Sequence, residues 1–285
     1  MLKQRVITAL VLLALLLPTL FAADVRPFMG LTLLLIAAAA WEWARLNHLN
    51  DWAAVASGLG CGLACLGLWF GGMAQTTTPT LWWGCALLWP VLLVVLLRGG
   101  VEAWTLWPRA LRLVGGWVAM SLAWLAVAQA RALGVHFLLS ALSLVWVADI
   151  GAYFVGRAVG GRWVDRKLAP RISPGKSWEG AVGGALAVLV LGAFWQALET
   201  NLGWSQPSLY KRLWDHGPAM FAVALLGLCA ISVAGDLVES LVKRSAGVKD
   251  SSALLPGHGG VLDRIDAIIP TIPLVLFLVS LSTRE

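Results

Sequence analysis

Charge is what this sequence has least of. Only 13% of its 285 residues are Asp, Glu, Lys or Arg, while 59% are hydrophobic and the mean hydropathy is +0.81. A water-soluble globule of this length needs far more polar surface, which excludes a soluble enzyme or carrier. Cysteine is scarce too. Cys61, Cys65, Cys85 and Cys229 all lie inside apolar runs with no His or carboxylate at ligand spacing. That excludes a disulfide framework and a thiolate zinc site and leaves the four as packing residues. A soluble basic domain, finger spacing and aromatic-interleaved strands are all missing, so no nucleic acid is expected as a partner. The chain has no long internal repeat and no low-complexity linker.

What it has in abundance is long apolar sequence. A membrane span needs roughly 20 predominantly apolar residues, and about nine stretches approach that length: residues 6–21, 28–43, 52–70, 81–97, 111–130, 137–154, 181–198, 219–234 and 268–281. They predict an all-α, polytopic membrane protein, divided into N-terminal transmembrane helices over 1–130 and a C-terminal catalytic transmembrane domain over 131–285. The first run, preceded by Lys3 and Arg5, has the pattern of either a cleaved signal peptide or a retained signal anchor, and reads as the anchor because further apolar spans follow at once. Several of the 17 Trp residues, among them Trp41, Trp43, Trp52, Trp82, Trp83 and Trp104, stand near the ends of runs, where an amphipathic ring suits the headgroup region. Glu42, between two of them, reads as a boundary residue.

Nine spans place the N-terminus on one side with every Lys and Arg except Arg26, Arg131, Lys211, Arg212 and Arg284. The positive-inside rule makes that side cytoplasmic. The net charge of +6 also suits anionic lipid.

Intramembrane ionisable groups gather in the second half. Asp149 follows a dozen mostly apolar residues and precedes Tyr153 and Arg157 on the same helix face. A carboxylate at membrane depth costs roughly 2.5–3.5 kcal/mol and needs a partner or a water-filled cavity; Asp149 is either a functional group or half of an ion pair with Arg157 or with another helix. Over residues 167–179, Arg171, Ser173, Lys176 and Ser177 precede a helix start. Free N–H groups favour an anion such as phosphate there, although Ser177 and Glu179 alone also make an ordinary cap. The densest cluster spans 232–266. Asp236, Glu239, Ser240 and Lys243 share a helical stripe, and Asp263 and Asp266 stand three apart at the head of the last span. Pro256-Gly257-His258-Gly259-Gly260 makes a tight, flexible turn that brings the two together. Carboxylates without thiolates suit a hard cation such as Mg²⁺, and the added Lys and Arg residues suit a polyphosphate.

The run Ser240, Lys243, Arg244, Lys249, Asp250, Pro256, Gly257, His258, Gly259, Gly260, Asp263, Arg264 and Asp266 resembles, without departure, the signature of the phosphatidate cytidylyltransferase (CDP-diacylglycerol synthase) family. The upstream stretches WVADIGAYFVGR, KLAPRISPGKSWEGAVGG and SVAGDLVES are similar to its bacterial members. The resemblance implies conversion of CTP and phosphatidate to CDP-diacylglycerol and diphosphate, a requirement for Mg²⁺, K⁺ as a second cation, and a homodimer in the cell inner membrane. It implies Asp236, Asp263 and Asp266 as metal ligands and Ser240 and Lys243 as phosphate contacts in the catalytic set. Asp149, Arg171, Ser173, Lys176, Arg244, Lys249 and His258 would bind substrate. His258 is open between orienting a phosphate, acting as an acid and stabilising the loop.

Overall fold

The structure is a computed structural model that describes residues 2–76, 78–204 and 206–282. Its elements are helical: α1 (Leu2–Phe21), α2 (Arg26–Leu46), α3 (Asp51–Phe70), α4 (Pro79–Leu106), α5 (Arg109–Ala132), α6 (Val135–Val159), α7 (Trp178–Leu202), α8 (Leu209–Asp215), α9 (Pro218–Ser245), α10 (Leu262–Ile265) and α11 (Ile268–Ser282). Among the described residues nine helices are long and apolar enough to cross a membrane, the last being α10 and α11 taken together. This is the all-α, nine-span architecture expected from the apolar runs.

Two pairs of helices pack closely through small residues. In α2 and α3, the position a Cβ would occupy on Gly58 lies 2.7 Å from the Ala37 carbonyl oxygen. In α6 and α7, the corresponding distance from Gly184 to the Ala148 carbonyl is 2.5 Å. The second contact matters most for the site, because it fixes the loop between α6 and α7 against the bundle. Cys61, Cys65, Cys85 and Cys229 are buried and free, as expected of packing residues.

Three features depart from the sequence reading. The run at 81–97 belongs to a longer helix, α4, which bends at Gly100 (φ 72°) and carries Trp104 inward. Trp104 and Trp82 are therefore core side chains, 5% and 2% exposed, whereas Trp52 is exposed as a boundary ring should be. The Trp82 indole finds its acceptor inside, on Gln129 Oε1 at 3.0 Å. Between α7 and α9, Lys211 and Arg212 lie on a short helix, α8, whose Ser208 cap accepts from Lys211 N at 3.1 Å.

Loop contacts show which helix ends share a side. At one end Arg5 Nε donates to Gly257 O (2.9 Å), Arg109 Nε to Asn47 O (2.9 Å) and Arg244 Nε to Ile172 O (3.4 Å). At the other, Arg131 donates to Leu20 O and Ala22 O, and Glu199 accepts from Ser208 N. The basic loops thus cluster at the end that holds the carboxylates.

Candidate active site

Helix α9 runs well past the apolar run at 219–234 and carries Asp236, Glu239, Ser240 and Lys243 to its final turns. The four do not act as one stripe. Asp236 and Ser240 turn toward the α6–α7 loop: Asp236 Oδ2 is 2.5 Å from Lys176 Nζ, and Ser240 Oγ donates to Asp236 Oδ1 at 3.3 Å. Glu239 and Lys243 form an ion pair with each other, and Lys243 also donates to Asp263 Oδ1 at 2.6 Å. Two lysines from different parts of the chain thus meet three carboxylates, Asp236 partly buried and Glu239 and Asp263 nearly fully so. Charges placed this deep persist only when paired.

Asp263 is fully engaged. Beyond Lys243 on Oδ1, its Oδ2 accepts from Ser251 N (2.9 Å), Ser251 Oγ (2.9 Å) and Gly260 N (2.7 Å). Asp266, three residues on, accepts from Ala267 N at 2.7 Å and lies within electrostatic reach of Asp149, Asp236 and Lys243. Asp149 lines a cavity of about 440 Å³ with Lys176, Ser177, Tyr153 and Arg157. Of the expected alternatives, the Asp149–Arg157 ion pair is not formed; Arg157 donates instead to the Tyr153 hydroxyl at 2.9 Å.

The α6–α7 loop shows the capped helix start that its sequence allowed. Ser177 caps α7 by accepting from Gly180 N at 3.1 Å. Glu179 reaches back to accept from Trp163 N (3.0 Å) and Val164 N (2.9 Å), which braces the loop and leaves Lys176 projecting to Asp236. Ser173 closes a turn on Ala169 O at 2.8 Å, and Arg171 is exposed. Arg244 ties the end of α9 to Ile172 O and Val248 O, and Lys249 is exposed beside it. His258 donates its backbone N–H to Leu255 O, its carbonyl accepts from Arg264 Nη2, and its buried Nδ1 lacks a hydrogen-bond partner.

Glu42 corrects the sequence reading. It is not a boundary residue: it is fully buried on α2. Its Oε1 accepts from Ser252 Oγ (2.6 Å) and Val261 N (3.0 Å), and its Oε2 from Leu262 N (2.7 Å). The Ser251 hydroxyl lies 3.1 Å from Glu42 Oε2 and 2.9 Å from Asp263 Oδ2, so one proton is shared between two carboxylates. The glycine-rich turn is therefore pinned, not loose. Thr8 and Arg5 hold its outer edge through Pro256 O and Gly257 O, and Glu42 holds its base.

Among the described residues no three His, Cys, Asp or Glu side chains already stand as a metal-holding group. The donor chemistry nevertheless suits a hard cation: Asp149, Asp236 and Asp266 are three oxygen donors close enough to repel one another.

Helices enough for nine crossings, with acids and lysines paired at one end, define a polytopic membrane protein with a charged site. The sequence model of the cytidylyltransferase family matches residues 3–282. A phosphatidate cytidylyltransferase of Pseudomonas aeruginosa is 39% identical over 280 residues, covering 96% of this chain and 95% of that protein. The enzymes of the same name from Haemophilus influenzae and Bacillus subtilis are 48% identical over 140 residues and 40% identical over 148 residues. Those matches cover 49% and 52% of this chain, and 44% and 49% of those proteins. The chain belongs to the cytidylyltransferase family.

Proposed function

We propose that this protein joins CTP to phosphatidate, giving CDP-diacylglycerol and diphosphate for phospholipid synthesis. The observation that carries the reading is the meeting of Lys176 with Asp236 and of Lys243 with Asp263 at one end of a membrane bundle, in a chain matched to this family almost throughout. A phosphate oxygen of phosphatidate attacks the α-phosphorus of CTP. The new P–O–P bond forms as the bond to the β-phosphate breaks, and diphosphate departs. The nucleophile is already anionic near neutral pH, so no strong base is needed. The barrier is repulsion between anions, which positioning and charge neutralisation lower.

Lys176 and Lys243 are placed to do that. Each ammonium rests on a carboxylate and can pass to a phosphate oxygen while remaining in the site. Ser240 donates to the same anion, and Arg171, Ser173, Arg244, Lys249 and His258 stand on the surrounding loops for the rest of the triphosphate. Asp236, Asp263 and Asp266 would hold Mg²⁺, with K⁺ as a second cation and Asp149 as the neighbouring carboxylate. Asp263 becomes available as Lys243 turns to phosphate. Bound Mg²⁺ would polarise the α-phosphate and neutralise the leaving group. The excess of basic residues at this end supports a cytoplasmic site and N-terminus in the inner membrane, and the family resemblance supports a homodimer.

The test is labelled CTP with phosphatidate in detergent, with Mg²⁺ and after chelation. CDP-lipid with diphosphate, formed only with Mg²⁺, is the expected result. Lipid phosphate with CDP would instead identify a CTP-dependent lipid kinase, and flux through liposomes without CTP consumption would identify a transporter.

A further inference from the structure

The carboxylate site has two neighbouring cavities, on opposite sides of α9. Val233 lines the polar one, with Asp149, Lys176 and Ser177. Gly235, Val238 and Glu239 line a second cavity of about 270 Å³. Val233 and Gly235 are two residues apart, hence about 200° apart around the helix, so the two cavities face different neighbours. Asp266 borders the second cavity, which therefore reaches the same carboxylates from the other side.

The walls of the second cavity are hydrocarbon and indole: Leu92, Leu93 and Leu96 of α4, Met120 of α5, and the rings of Trp43 and Trp89. Helices α4 and α5 follow one another in sequence, yet both pack on α11 rather than on each other. The gap left between them opens toward the outside of the bundle, where Leu92 and Leu111 are exposed. Two buried N–H donors border this apolar space without an acceptor. Trp104 is 5% exposed and its Nε1 has no hydrogen-bond partner, and the same is true of Arg112 Nε, whose guanidinium lies over the Trp104 ring. Buried donors are almost always paired, so stranding two of them in one crevice points to a ligand that brings oxygen acceptors with it.

We propose that the crevice between α4 and α5 seats the lipid acceptor, its tail between the two helices and its ester or phosphate oxygens on Arg112 Nε and Trp104 Nε1. The inference deepens the proposed reaction and rests on it. A water-soluble nucleotide has no counterpart for these walls, whereas an acyl chain entering sideways from a bilayer matches them. CTP then takes the polar cavity, and the two substrates approach the Asp236–Asp266 region from either side of α9.

Gly115 borders the crevice, and a Cβ built on it meets nothing within 4 Å, so the side chain of Gly115→Phe starts into open space and adds bulk to the crevice. The experiment compares the KM for a long-chain and a dihexanoyl phosphatidate in purified wild type and Gly115→Phe. It also maps, in wild type, the crosslinks made by a phosphatidate carrying a photoactivatable diazirine in its acyl chain. The ratio of long-chain to short-chain KM should rise about ten-fold, as loss of a few buried methylenes requires. Crosslinks should fall on α4 and α5 around Leu92 to Leu96 and Ala119. Crosslinks placed elsewhere overturn the assignment, as does an unchanged ratio in a folded variant; Ala119→Phe serves if Gly115→Phe does not fold. Wild type that consumes CTP with neither lipid would instead defeat the proposed reaction, and the crosslink map would still report who occupies the crevice.

Discussion

The Glu42 carboxylate and the Leu262 backbone N–H, 220 residues apart in the chain, form a 2.7 Å hydrogen bond inside the bundle. Through it, and through the shared Ser251 hydroxyl, an N-terminal helix sets the position of Asp263 and hence of Lys243. Glu42 touches no reacting group; it is a positioning residue.

Replacing it by Ala strands three donors, Ser252 Oγ, Val261 N and Leu262 N, while Ser251 Oγ keeps Asp263; each stranded buried donor costs roughly 1–3 kcal/mol. Glu42→Ala should unfold at a clearly lower temperature in detergent and lose CDP-lipid formation. Glu42→Gln keeps the volume and one of the two acceptor oxygens, so folding should survive while kcat falls about ten-fold or more, the equivalent of about 1.4 kcal/mol. A double-mutant cycle with Ser251→Ala would show strong non-additivity in kcat/KM if the effect travels through that hydroxyl. Additive losses would leave Glu42 with a purely structural role.

Gly260 permits the close approach of its backbone to Asp263. A Cβ there would collide with Ser251 Oγ and Glu42 Oε1. Gly260→Ala should be inactive and less stable by about 1–3 kcal/mol, as overpacking requires. Thermal unfolding of the detergent-solubilised variant, read beside activity, checks both effects.

Asp263→Asn should insert into membranes normally and fail to transfer cytidylyl groups. The amide cannot carry the charge that steadies Lys243, and with its oxygen kept on the Gly260 and Ser251 donors its NH2 group faces the Lys243 ammonium. Near-normal turnover by the purified variant would contradict a place for Asp263 in the reaction.

Lys176→Met removes the ammonium from Asp236 but leaves the capped start of α7 in place. If Lys176 receives the triphosphate, KM for CTP should rise at least about ten-fold, with a smaller change in KM for phosphatidate. Equal weakening for both substrates would argue for general distortion of the loop.

The spans were readable because a bilayer imposes length and apolarity on each segment independently. The charged residues of the site were readable for a related reason: Asp149, Asp236 and Lys243 stand out against apolar sequence. Their division into pairs was not. Asp236 and Glu239 lie on adjacent turns, and only the reach of Lys176 from another loop decides which way each faces. Glu42 was misplaced because its partners are more than 200 residues away and nothing local distinguishes a boundary carboxylate from a buried one. Trp104 was misplaced because the Gly100 bend, which a helical period does not record, redirects the end of α4.

The long-range bonding of Glu42 also has a history within each molecule. Its partners, Ser251 to Leu262, are translated 209 to 220 residues later. At roughly 5–20 residues per second, the interval is on the order of ten to forty seconds. For that time the donors that satisfy the carboxylate are missing, and its place near the end of α2 keeps it close to the water that can stand in for them. Glu42 becomes a buried anchor only when the last helix arrives, so the site cannot form before synthesis of the chain is nearly finished.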